Sequence, residues 1–162
     1  MFERECALYD FLREYAHRLT GDLSDSDLGR QPAPGINPPG WILGHLVVAA
    51  DYGLQLLGVA KVCPDAWHAR FKPTSVPDGG PYPPLAELLA KYDEVHAALP
   101  AAALRATSEW AGNPHPFEPL REALPTQGML MAHLLTTHEA IHLGQLSAWR
   151  RAAGLPASPR PL

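Results

Sequence analysis

The chain has 162 residues, of which 46% are hydrophobic and 19% charged, and its formal net charge is −4. That length supports one domain whose core buries roughly two-thirds of the unfolded surface. The negative charge, with no basic run or aromatic-basic strip, argues against nucleic acid or anionic lipid as a partner.

Leu8, Phe11, Leu12, Tyr15 and Leu19 recur at helical spacing and predict an amphipathic helix over about residues 2–19. Its early acidic residues fit neither a signal peptide nor a membrane span. "TGDLSDSDLGRQPAPGINPPG" then supplies breakers and capping residues, a long connection that tucks Leu23 and Leu28 against the core. A second helix starts at Pro38 or Pro39 and stops at Gly58; its nearly continuous apolar character places it at the centre. Residues 61–84 hold six of the 18 prolines and no sustained period, which predicts an ordered excursion over the surface.

Leu85, Leu88, Leu89, Tyr92, Val95, His96 and Leu99 form one stripe and predict a third helix. Residues 100–125 read as another proline-punctuated connection, in which "FEPLREALP" has room for a short extended piece. The fourth helix is expected from about Thr126 to Ala153, stopped by Gly154 and Pro156, with Arg150 and Arg151 set favourably against its dipole. These elements predict an all-α fold, a four-helix bundle with long proline-rich connections, as a single domain over 1–162. Trp67, Phe71 and Trp110 in the connections are expected to be exposed. Cys6 and Cys63 form no C-x-x-C pair, and Asn37 and Asn113 both precede proline instead of opening a glycosylation sequon, which fits a reducing, cytoplasmic setting.

"THEAIHLGQL" contains His138, Glu139 and His142 in the pattern H-E-x-x-H, in which two histidines hold zinc and the glutamate activates water. With eight histidines in the chain, one such pair needs further support. Helical residues four apart differ by about 40° in direction and 6 Å in height, so both imidazoles can meet one ion. The neighbours Leu134, Leu135, Ile141, Gln145 and Trp149 place them at the edge of the core stripe, where unpartnered imidazoles would cost a few kcal/mol. A zinc peptidase of this type takes its third ligand downstream. Residues 143–162 contain no Asp, Glu or His, and Gly144 falls one position too early for the extended motif. The third ligand must therefore come from upstream, and His45 in "GWILGHLVVAADY" is the best candidate.

"NPPGWILGHL" followed far downstream by "HEAIHLGQLSAWRRAAGLP" resembles the DinB/YfiT-like superfamily of four-helix-bundle metalloenzymes. In that family one histidine of the W-x-x-G-H-L segment and two of the late H-x-x-x-H-x-G-Q segment bind a divalent metal, and His45, His138 and His142 match those positions. The resemblance covers almost the whole chain and implies no DNA chemistry. It implies a zinc or nickel ion, a small-molecule substrate, a low-molecular-weight thiol as cosubstrate, and a homodimer. The expected activity is thiol S-transfer or hydrolysis. The alternatives are a non-catalytic stress-response or ligand-binding module and, ranked below both, the H-E-x-x-H zinc peptidase.

Gln145, seven positions after His138 and nearly aligned with it, is a candidate for a hydrogen bond to a ligand or substrate. Glu139 is the other candidate catalytic group; it points about 100° from His138, which favours a surface or inter-helix ion pair over a general base. Tyr52, aligned with His45, reads as core. His133 lies about 140° from His138 on an ideal helix, which argues against metal binding. His17, His68, His96 and His115 have no partner at ligand spacing and are expected at the surface or an interface.

Overall fold

The structure, a computed structural model, describes residues 1–157; the last five residues of the expected domain lie outside them. The long helices are α1 (Glu3–Thr20), α2 (Pro39–Leu56), α4 (Leu85–Ala103) and a last one built from α6 (Gln127–His133), a π-helical turn (Leu134–His138) and α7 (Glu139–Ala152). Short helices α3 (Asp65–Phe71) and α5 (Ser108–Gly112) sit in the connections. No strand forms among the described residues, so the expected helical bundle is the observed fold. No helix among them is long and apolar enough to cross a membrane.

Central α2 packs most extensively on α4, and α1 lies against α7 and the π turn. Pro38 and Pro39 open α2, where a missing N–H costs nothing. Its end is a Schellman motif: Gly58 takes φ 78°, Gly58 N donates to Gln55 O and Val59 N to Leu54 O. Leu23 and Leu28 are buried as expected, and a capping box between Ser24 and Asp27 shapes the loop that carries them.

Four sequence expectations are corrected. The buried face of α1 runs through Cys6, Tyr9, Ala16 and Leu19, while Leu8 and Phe11 are 54% and 48% exposed, because the neighbours of α1 sit about one residue round from the apparent stripe. Residues 61–84 contain α3, and Phe71 is fully buried rather than exposed; Trp67 and Trp110 are half-buried, Trp110 Nε1 donating to Leu56 O at 3.0 Å. The third helix passes through Pro100 to Ala103. "FEPLREALP" holds a 3-10 turn at Glu118–Leu120, and the only pairing nearby is an isolated bridge between Pro114 and Thr126.

Candidate metal centre

His45 is buried in the middle of α2, and its orientation follows from the residue before it. A Cβ on Gly44 would stand 2.7 Å from the Phe71 ring, so only glycine lets Phe71 lie flat against α2. That contact brings Phe71 O within 2.7 Å of His45 Nδ1. A carbonyl only accepts, so the proton is on Nδ1 and the lone pair on Nε2. Trp41, one turn earlier, stacks on the imidazole at 4.8 Å and 5°.

The other two imidazoles arrive from the last helix. His138 Nε2 faces His45 Nε2 at 3.1 Å, and the His142 ring centre lies 4.5 Å from that of His45 and 4.6 Å from that of His138. One nitrogen from each of the three lies within 4.8 Å of the other two. His142 Nδ1 meets Gln145 Oε1 at 3.1 Å, and Asn37 Nδ2 donates to the same oxygen at 3.5 Å. An amide oxygen that accepts from both leaves His142 Nε2 as the free donor atom.

This donor set fits a divalent ion. Two nitrogens on one tetrahedral zinc lie about 3.3 Å apart, given bond lengths near 2.0–2.1 Å. The hydrogen bonds of His45 and His142 fix their tautomers in the way ligand histidines are commonly held. Burial also keeps the rings neutral, the form that binds metal. Burial, then the His142 and His45 rings, push His138 down to about 2; burial, then His45, lower His142 to about 4, partly opposed by Gln145. Burial likewise lowers His45, against the Phe71 hydrogen bond.

The π turn changes the position of His133. A turn closed by i→i+5 bonds brings residues five apart onto one side, so His133 stands edge-on to His138 at 5.6 Å instead of pointing away. It lines the same cavity, with Nδ1 2.6 Å from Thr137 Oγ1, but lies outside the three-histidine cluster. Ile141 is 55% exposed, and Gln145 is exposed beside the site, because α7 starts in a new register after the π turn.

Glu139 is buried and turned from the cavity toward α4, in line with the inter-helix half of its expected role and against the surface half. Tyr92 Oη donates to Glu139 Oε1 at 2.5 Å, and His96 Nε2 faces the same oxygen at 3.2 Å without hydrogen-bond alignment. His96 is fully buried inside the bundle, a correction to its expected place at the surface or an interface. It stacks between Tyr9 and Tyr92, at 4.5 and 3.6 Å, and its Nδ1 donates to Tyr92 O. His115 is also buried, where Nε2 donates to Leu124 O and Nδ1 accepts from Phe117 N, closing the 114–126 loop. His17 remains part-exposed on Asp93. Both cysteines are buried, and burial raises their thiols, Cys63 to about 12, so neither is a ready nucleophile.

The three imidazoles open into a cavity of about 750 Å³. Val48, Phe117, Leu120, Leu130 and Leu134 form apolar walls; Tyr52, read from sequence as core, is half-buried on the same wall. His68, Ala69, Lys72, Pro73 and Thr74 also line it, and sequence reasoning did not associate His68 or Lys72 with the site. His68 Nε2 donates to the wholly buried Asp51 Oδ2 at 2.6 Å, and Asp51 Oδ1 also accepts from Val62 N. No spacing signal in the sequence links Asp51 to His68.

The sequence profile of the DinB superfamily matches residues 8–146. No curated protein matches. A crystal structure of a conserved protein from Enterococcus faecalis superposes with a TM-score of 0.74 at 14% identity, over 94% of this chain and 96% of that one. At that identity the likeness concerns the fold alone.

Proposed function

The chain belongs to the DinB superfamily, and from that premise we propose that it is a divalent-metal-dependent enzyme acting on a small molecule, by thiol S-transfer or hydrolysis. The observation that carries the proposal is the convergence of His45, His138 and His142 at an apolar cavity of ligand size. In this reading the three imidazoles hold zinc or nickel, and a low-molecular-weight thiol serves as cosubstrate. The ion supplies Lewis acidity that favours the ionised form of a thiol or water. Phe71 O and Gln145 Oε1 hold two of the rings in the ligand tautomer. Trp41 closes one side of His45, and the apolar walls restrict water around the reacting atoms.

The orientation of Glu139 counts against the peptidase alternative. A general base must reach the proton it takes, and this carboxylate is engaged with Tyr92 on the far side of the helix.

Elemental analysis of untagged protein purified in metal-replete buffer tests the proposal. Stoichiometric zinc or nickel is expected in wild type and not in His45→Ala or His138→Ala. Wild type without stoichiometric metal, or His45→Ala that keeps it in full, overturns the site. A screen pairing low-molecular-weight thiols with electrophiles then separates an enzyme from a ligand-binding module, which would bind such compounds without turning them over.

A further inference from the structure

The cavity mouth carries a strained turn. Ser75 N donates to Lys72 O at 3.1 Å, Pro73 occupies the second position, and Thr74 takes φ 69° at the third. This is the pattern of a type II turn, whose third position ordinarily holds glycine or asparagine. A β-branched residue there is a genuine outlier that costs on the order of 1–2 kcal/mol. The turn is also tied to the site, since Trp41 Nε1 donates to Ser75 Oγ at 3.0 Å and Trp41 stacks on His45. Lys72, Pro73 and Thr74 all line the cavity.

Lys72 is the one Lys or Arg among the described residues that line the cavity. Among the described residues no Asp or Glu lines the cavity, and Asp51 lies behind His68. Of the three lysines, Lys61 and Lys91 pair with Asp65 and Glu94, whereas Lys72 has no such partner among the described residues. A chain of formal charge −4 therefore presents an unpaired cation and a hydroxyl at the mouth of an apolar cavity. One ammonium and one hydroxyl donor match the single charge and paired oxygens of a carboxylate.

We propose that the cavity takes a small organic carboxylate with an apolar body, its acid group held at the mouth by the Lys72 ammonium and the Thr74 hydroxyl and its other end reaching the three imidazoles. Only the placement of that other end rests on the metal-site reading. The strain at Thr74 is then the cost of keeping a hydroxyl where glycine would be relaxed.

The test uses protein stripped of metal with a chelator, titrated calorimetrically with phenylbutanoate and with phenylbutanol. The acid is expected to bind about tenfold tighter than the alcohol, the scale of one charge-assisted hydrogen bond. Lys72→Gln should remove that preference and leave alcohol binding unchanged. Thr74→Gly should raise the thermal midpoint by about 2–4 °C and yet weaken acid binding several-fold, a combination that a purely structural threonine would not give. Equal binding of acid and alcohol, an acid preference that survives Lys72→Gln, a preference seen only after zinc is added, or no binding of either probe would each overturn the proposal. Because the readout is metal-free, a protein that holds no stoichiometric metal can still pass this test, and one that does can fail it.

Discussion

The Nε2 atoms of His45 and His138 face each other at 3.1 Å across 93 residues of sequence, while Nδ1 of His45 is committed to Phe71 O. With the His45 proton on the far side of the ring, the two facing nitrogens need one shared proton or one shared cation between them. What sets the ion affinity is then the orientation of the rings as much as their presence. Gln145→Ala removes the acceptor that orients His142, and it should weaken divalent-ion affinity by about 10-fold or more in a chelator competition. Gln145 is exposed, so the unfolding midpoint in metal-free buffer should not move. Unchanged affinity would show that His142 is oriented by something else.

Gly44→Ala tests the packing behind His45. The new methyl would stand 2.7 Å from the Phe71 ring, which is fully buried and cannot retreat without shifting α3. Overpacking of this kind costs about 1–3 kcal/mol, and here it also moves the carbonyl that holds His45. Urea denaturation should show the destabilisation, and metal content should fall with it. A variant of wild-type stability and full metal content would mean that α3 is not the support of the ligand.

Glu139 separates two accounts of the H-E-x-x-H pattern. Glu139→Ala leaves Tyr92 Oη buried without an acceptor, so a loss of about 1–3 kcal/mol is expected, measured by denaturant unfolding. Glu139→Gln keeps an oxygen for Tyr92 and should cost less. Both variants should retain metal, because the carboxylate faces α4 and not the cavity. If Glu139→Gln kept stability and metal but lost hydrolysis of unstructured peptides, the glutamate would return to the role its pattern suggests.

Helical periodicity and proline placement made the bundle legible: the ends of α2 and the stripe of α4 follow from local physics that one segment carries alone. The three histidines were legible because two share a helix and the third stands in the most apolar segment of the chain. What stayed hidden depends on contacts between distant segments. Phe71 looked like a surface aromatic because the space that receives it is made by Gly44, 27 positions earlier. His133 was misplaced by an ideal-helix angle, since nothing local in "LLTTH" marks a π turn. His96 read as surface because its partners Tyr9 and Glu139 belong to other helices. Lys72 and Thr74 join the cavity only through the turn that follows α3, in a stretch with no period to place it.

Arg150 shows how far dipole reasoning falls short of the observed role. It was expected to sit favourably at the end of the last helix, but its guanidinium is fully buried, where it donates to Leu19 O at 2.7 Å at the end of α1 and makes a two-pronged pair with Asp22 at 2.5 and 2.8 Å. The pair holds the Asp22 carboxyl below the usual carboxylate range, the arginine hydrogen bond being the main cause. A carboxyl depressed in the folded state stabilises the fold above its unfolded value, near 3.9, and that contribution disappears as pH falls through the lower folded value. Asp22 is 39% exposed, so after solvent screening the contribution is about 1 kcal/mol. Asp22→Asn should therefore be less stable than wild type by about that amount at pH 7. The gap should narrow once pH drops below about 4 and close as pH falls through the depressed folded value of Asp22, as urea denaturation of both proteins down the acid range would read directly. A gap that persists at the acid end would mean that Asp22 acts through its neutral hydrogen-bonding shape, and that the charge on Arg150 is satisfied by the backbone carbonyls of Leu19 and Pro156 alone.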